Sequence, residues 1–366
     1  MRKSLFTIAV FVFANLFSFA VQAQIEPPKL KPTPLTLEQE KLIEEGIKLH
    51  DQGKYDEAIA KYLEVLKQNP NNDLVLYELT LSYYYKKDIQ KALETAQKVT
   101  EYEGTVRLKA YEIIANILDD QGKPDEAVKI YQDLIKTMEK IDEPNKNKWI
   151  SSVYFNLGIT HSRQKKAKEA REAFKKAIEH DFAYPSPHFH LSINFYISGY
   201  RVPAFLAAAR FVTLELNTQR TSNAVKLLLE ILRLPQKNEK DKIVIAINPQ
   251  QLEQRDEGNF TFYDTFILPT LTVVKDKKDK NKSEIEIFAD AFERLMEILI
   301  EDEEIATTFV GKNYIPFFAE AKNRGYLKIH AYLILQQNGN KEAEKWLLDR
   351  ESKVVEFVRW AREYKK

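Results

Sequence analysis

The chain has 366 residues, of which 44% are hydrophobic and 30% charged, with no cysteine and a formal charge of +1. This apolar fraction is enough for folded domains, and the lack of cysteine excludes disulfides and thiol chemistry. Near-neutral charge argues against a nucleic-acid-binding protein, which would have to neutralise many phosphates.

The first 23 residues are expected to be an export signal. Arg2 and Lys3 precede an apolar run, and small residues up to Ala23 stand where a signal peptidase cleaves. Polar residues interrupt the run and no basic stop follows it, which favours cleavage over a retained anchor. No later stretch has the ~18 uninterrupted apolar residues of a membrane span. We therefore predict a periplasmic or secreted protein without a membrane span after cleavage.

Residues 24–36 contain four prolines, at positions 27, 28, 32 and 34. Proline favours extended polyproline geometry over helix. The segment is expected to be a tether between the export signal and the folded body.

A repeat of about 34 residues follows the tether. An alanine recurs after a turn at intervals of 34, 35, 43 and 34 residues, at Ala58, Ala92, Ala127, Ala170 and Ala204. Three of these alanines are followed four positions later by an aromatic residue (Tyr62, Tyr131 and Phe174), and glycines such as Gly46 and Gly158 recur upstream. The longest interval coincides with a polar insertion around residues 142–145. Self-similarity at this period is typical of helical repeat proteins.

These residues resemble the tetratricopeptide repeat, a helical hairpin with glycine in helix A and the alanine in helix B. The resemblance implies an all-α, right-handed superhelical solenoid of about five repeats plus a capping helix at 222–233, together spanning residues 37–233. Because one hairpin is too small to bury a sufficient core, neighbouring hairpins must cover its faces. Helices A would then line the concave side.

The family binds its ligands in this concave groove, through fixed positions of helix A. Carried over by register, the apolar and aromatic positions that we predict to contact a partner are Tyr77, Leu81, Tyr84, Phe155, Ile159, Phe189, Ile193 and Tyr196. They indicate a hydrophobic groove for a protein or peptide partner; alternatively, they are core residues or are covered by the C-terminal part. The third repeat presents Glu112 and Asn116, which do not form the family's cationic clamp for a terminal carboxylate.

The repeat pattern stops after Pro235. Residues 234–283 are predicted to be an irregular connector with a short strand at 242–249 and a weakly indicated helix at 262–274. From 284 to 366 the helical period returns, and we predict a mainly helical C-terminal domain of four or five short helices, interrupted at Gly311.

No catalytic, cofactor-binding or metal-binding motif is present. The sequence has no Gly-x-Gly for a phosphate loop, and His188 and His190 point to opposite sides of a helix and cannot share a metal. The leading hypothesis is therefore a non-catalytic exported scaffold that binds a protein or peptide without a cofactor. The alternative is an enzyme or carbohydrate-active factor whose site lies in the C-terminal third, with the repeats as an adaptor.

Overall fold

The computed structural model describes residues 25–232, 256–264 and 282–365. Within these ranges the regular elements are helices, and the predicted all-α fold class is confirmed. The expected export signal at 1–23 and the strand expected at 242–249 lie outside the described residues.

Ten helices form five successive hairpins, and an eleventh helix follows them. They are α1 (Leu37–Asp51), α2 (Tyr55–Gln68), α3 (Asp73–Tyr85), α4 (Ile89–Val99), α5 (Val106–Asp120), α6 (Pro124–Glu139), α7 (Lys146–Arg163), α8 (Ala167–His180), α9 (Pro185–Ile197), α10 (Arg201–Leu214) and α11 (Gln219–Leu232). The first helices of successive hairpins contact one another from α1 to α7, and α9 contacts α11. The surface formed by α1, α3, α5, α7 and α9 is called the A-helix face below.

Two glycines explain how closely the helices of a hairpin approach. A Cβ atom on Gly46 would lie 2.5 Å from the ring of Tyr62, and one on Gly158 would lie 2.5 Å from the ring of Phe174. Both aromatic rings are buried in the next helix of the same hairpin. The glycine and aromatic positions of the sequence repeat are therefore paired in space, as a close-packed interior requires.

The Pro-rich N-terminal segment is not a free tether. Residues 26–34 form no helix, as their prolines predict, and they lie against the loops of the first three hairpins, where Leu30 makes a parallel β-bridge with Tyr102. Ile25 also packs against the core around α5 and α6. The segment predicted to be a tether is therefore docked on the repeats.

Seven further helices follow between residues 284 and 363, more than the four or five expected. They are α12 (Glu284–Glu301), α13 (Glu303–Ala306), α14 (Phe309–Asn313), α15 (Ile315–Asn323), α16 (Leu327–Gln337), α17 (Lys341–Leu348) and α18 (Glu351–Glu363). The break predicted at Gly311 is wrong, because this residue lies within α14. Its Cα is so close to the backbone of Ile305 that a Cβ would lie 2.0 Å from that carbonyl oxygen, so only glycine fits.

The repeats and the C-terminal helices share one hydrophobic core. Every residue of α10 from Val202 to Leu214 is buried, because α16 and α18 pack on this helix in addition to its neighbours α9 and α11. Phe205 of α10 contacts Phe292 of α12 with ring centroids 5.8 Å apart. The boundary expected near residue 233 therefore does not separate two cores.

A buried arginine of α10 joins this core to the C-terminal end of the last helix. The guanidinium of Arg210 lies between the rings of Phe182 and Phe317, with centroids 4.5 and 4.4 Å away. It donates hydrogen bonds to the carbonyl of Ala361 at 2.7 Å and to Thr213 Oγ1 at 2.9 Å. Burial lowers the pKa of Arg210 to about 9, so it is mainly protonated at neutral pH.

Residues 256–264 cover α8 and α10, and the helix expected at 262–274 lies mostly outside the described residues. Glu257 accepts a hydrogen bond from Arg171 Nε at 2.7 Å, in an ion pair whose side chains are almost fully buried. Asp264 accepts hydrogen bonds from the backbone N–H groups of Val202 at 2.9 Å and Arg201 at 3.2 Å. A distant segment thus caps the N-terminus of α10.

Asp264 makes stability depend on pH. Burial raises its pKa to about 7, above its value in an unfolded chain, so the folded state retains a proton that the unfolded state loses. This contribution is complete below about pH 4 and is lost as the pH rises to about 7. We expect that, relative to D264N, the wild type loses about 2 kcal/mol between pH 5 and pH 7.5 in urea denaturation. A pH-independent difference between the two proteins would contradict this assignment.

Candidate functional site

The side chains predicted to contact a partner lie on α3, α7 and α9. Seven of the eight are half-buried on the A-helix face: Tyr77, Leu81, Tyr84, Phe155, Ile159, Ile193 and Tyr196. They retain accessible surface although they pack against the core clusters of their repeats. Their contact with a partner stays a prediction.

Phe189 is different from the other seven. It is 9% exposed, and its ring packs against Phe211 with centroids 5.1 Å apart. The guanidinium of Arg220 on α11 lies 5.7 Å from the centroid of the same ring. The helix that follows the fifth hairpin therefore covers Phe189, which contributes to the core and offers little surface to a partner.

An aromatic cluster surrounds Phe155. Its ring centroid lies 5.5 Å from that of Tyr184 and 5.4 Å from that of His190. Burial, with a smaller contribution from Arg220, lowers the pKa of His190 to about 4. The imidazole is thus neutral at pH 7, and this part of the face presents uncharged aromatic surface.

The third hairpin places a carboxylate on the same face. Glu112 accepts hydrogen bonds from Trp149 Nε1 at 2.8 Å, Asn156 Nδ2 at 2.9 Å and Ser152 Oγ at 3.3 Å. Burial raises the pKa of Glu112, and the three neutral donors on α7 partly offset this effect. The sequence indicated the charge at Glu112 but not its partners, which come from the first helix of the next hairpin.

A polar pocket of about 160 Å³ lies next to these residues. It is lined by Tyr84, Asn116, Asp119, Asp120, Tyr131, Asn156, Ile159 and Arg163. Arg163 pairs with both Asp119 and Asp120, and the hydroxyl of Tyr84 donates to Asp120 at 3.1 Å. The A-helix face therefore combines apolar rings on α3, α7 and α9 with a small polar centre formed mainly by α5 and α7.

The described residues contain no group of three or more His, Cys, Asp or Glu side chains that could hold a metal ion. Nor do they contain a helix that is long and apolar enough to cross a membrane. His188 is buried, and its Nε2 donates to the carbonyl of Phe182 at 3.0 Å while its Nδ1 accepts from Tyr314 at 2.9 Å. This histidine therefore serves the packing of α9 against the C-terminal helices.

The fold is an α-solenoid of consecutive helical hairpins whose first helices form one continuous face. Comparison with family profiles agrees with this architecture: residues 106–181 match a tetratricopeptide repeat family, and residues 46–94 match a TPR repeat family. The chain therefore contains tetratricopeptide repeats in these two segments, as its resemblance to the repeat predicted.

Among solved structures, PilF of Pseudomonas aeruginosa is 17% identical, covering 52% of this chain and 83% of that one with a TM-score of 0.44. A thermophilic TPR protein of Thermus thermophilus is also 17% identical, covering 52% and 99% with a TM-score of 0.42. MamA of Desulfovibrio magneticus is 16% identical, covering 50% and 97% with a TM-score of 0.39. No curated protein matches the chain significantly.

Proposed function

We propose that this protein is a non-catalytic, exported scaffold that binds a protein or peptide partner on the A-helix face. Tetratricopeptide repeats support a role in protein interaction in general. The observation that carries the finer proposal is the row of half-buried aromatic and aliphatic side chains on α3, α7 and α9. Such side chains give a partner a large, rigid contact area.

The position of the C-terminal helices also supports the A-helix face as the binding surface. Among the described residues, their main contacts with the repeats are made by α16 and α18 on α10 and α11. The rings of Tyr84 on α3 and Phe155 on α7 remain partly accessible. A partner could therefore reach these repeats without displacing the C-terminal helices.

The polar centre would add selectivity to an otherwise apolar surface. A partner that covers Glu112 and the pocket beside it must satisfy or leave intact the hydrogen bonds already made there, since unpaired buried polar groups are costly. Export is supported by the basic and apolar start of the chain, followed by small residues ending at Ala23.

Substitution of two groove residues tests the proposal. We expect Y84D combined with Y196D to reduce partner recovery at least tenfold in affinity capture from the native envelope, because both changes place charge on the apolar face. L348D is the matched control, since Leu348 is 66% exposed on α17, outside the repeats. Mass spectrometry should recover the same partners with the wild type and the control. Undiminished recovery with a folded double variant would contradict the proposal.

A further inference from the structure

The N-terminal segment occupies a site on the edge of the array. Residues 26–34, called the strap, run along the α2–α3 and α4–α5 loops; these loops, with Arg107 and Tyr111, are called the loop edge. In the middle of the strap, the N–H groups of Lys29 and Leu30 donate to the carbonyl of Glu101 at 2.7 and 2.9 Å. The N–H of Glu103 donates to the carbonyl of Leu30 at 2.8 Å. This pairing resembles that of two parallel strands.

Both ends of the strap are held through their backbone as well. At the start, the N–H of Glu26 donates to the hydroxyl of Tyr111 at 2.9 Å, and its carbonyl accepts from the guanidinium of Arg107. Arg107 and Tyr111 are 8% and 4% exposed, so these groups are part of a built site and not a chance surface contact.

At the other end, the α2–α3 loop supplies three asparagines. The N–H of Thr33 donates to the carbonyl of Asn71 at 3.0 Å, and its carbonyl accepts from Asn72 Nδ2 at 2.7 Å. Asn69 Nδ2 donates to the carbonyl of Pro34 at 2.9 Å. The loop edge therefore recognises the main chain of the strap along its whole length.

The prolines of the strap match this pattern of recognition. The N–H donors that the loop edge uses belong to residues 26, 29, 30 and 33, whereas the prolines stand at 27, 28, 32 and 34. Proline lacks an N–H group, but the loop edge accepts no hydrogen bond at those four positions, so nothing is lost there. Proline also reduces the conformational entropy that an extended peptide loses on binding. The site thus suits an extended segment with prolines between its donor residues.

The strap leaves a cavity beside the loop edge unfilled. This cavity of about 500 Å³ lies next to Leu30, and its apolar lining includes Leu63 and Leu66 of α2 and Leu76 and Leu79 of α3. The side chain of Leu30 lines this cavity and remains 41% exposed. An extended peptide with a larger apolar residue at the corresponding position would bury more surface here than the strap does.

We propose that the loop edge is a second peptide-binding site, separate from the A-helix face. Its ligand is an extended, proline-containing segment of a partner protein with an apolar residue facing the cavity. The strap occupies this site in the isolated chain, and the partner segment enters by displacing it.

The test uses the full chain and a fluorescein-labelled peptide with the sequence of residues 25–36. L30P combined with T33P removes two N–H donors of the strap and should release it, which faster hydrogen–deuterium exchange of the N–H groups of Glu26 and Lys29 would report. We expect the labelled peptide to bind this variant at least tenfold more tightly than the wild type in fluorescence anisotropy. Adding Y111F, which removes only the hydroxyl that accepts from the strap, should weaken binding several-fold.

Two controls keep the result specific. A labelled peptide that itself carries L30P and T33P should not bind, and a peptide that carries L30F should bind several-fold more tightly because it fills the cavity. The proposal fails if the released variant remains folded by circular dichroism but does not bind the peptide. It also fails if the N–H groups of Glu26 and Lys29 exchange as slowly in the variant as in the wild type, because the N–H groups of Leu30 and Thr33 would then not be what holds the strap.

Discussion

Replacement of Arg210 by alanine is expected to lower the free energy of unfolding by about 3–5 kcal/mol. The substitution removes the guanidinium from between the rings of Phe182 and Phe317 and leaves a cavity in the core. It also removes the hydrogen bond to the carbonyl of Ala361. The last helix should therefore lose its main polar attachment to the repeats, and urea denaturation measures the loss.

R210M is the matched control for this change. Methionine fills much of the same volume between the two rings but cannot donate to the carbonyl of Ala361. We expect the free energy of unfolding to fall by a smaller amount, about 1–3 kcal/mol. The packing is largely retained, but the carbonyl of Ala361 and Thr213 Oγ1 each lose a hydrogen-bond donor. If R210A unfolds at the same urea concentration as the wild type, the buried arginine does not hold the two parts together.

Replacement of Glu257 by alanine is expected to cost about 3 kcal/mol, the second large effect. Glu257 accepts from Arg171 at 2.7 Å and from Lys175 at 3.0 Å, and its own side chain is 3% exposed. The substitution leaves Arg171 paired only with Asp256 and Lys175 paired only with the exposed Glu172, and removing one partner of a buried ion pair is strongly destabilising.

The same lysine provides the control for this prediction. Glu172 pairs with Lys175 at 2.7 Å but is 51% exposed, so its pair is screened by solvent. E172A should therefore change the free energy of unfolding by less than about 1 kcal/mol. Equal effects of E257A and E172A would show that residues 256–264 are not anchored by the buried pair. Guanidinium denaturation of the three proteins distinguishes these outcomes.

The repeats could be predicted because their determinants are local and recur. A glycine that faces an aromatic ring, such as Gly46 opposite Tyr62, indicates a contact between the two helices of one hairpin. The place of a residue in the sequence motif therefore predicts where it lies in the hairpin. The same register locates the half-buried residues of the A-helix face. The register does not predict the burial of Phe189, because α11 covers this side chain and α11 is not part of the fifth repeat.

The remaining features depend on contacts between residues far apart in the chain. The prolines of the strap predict its extended conformation, but Glu26 meets Arg107 across 81 residues and no local pattern encodes that pairing. The partners of Glu112 likewise come from α7, and Asp264 caps a helix that begins 63 residues earlier. Neither the amino-acid composition nor the hydrophobic periodicity of the sequence predicts any of these pairings.

The complete burial of α10 has a consequence for how this protein can change in length. A repeat array grows when a hairpin is added where an existing one ends. The surface of α10 that such a hairpin would cover already packs against the C-terminal helices α16 and α18. New hairpins can therefore be accommodated only before α9. The α6–α7 connection, with its extra residues, is the natural point for duplication or engineered insertion, whereas a hairpin inserted after α10 would have to break the shared interior.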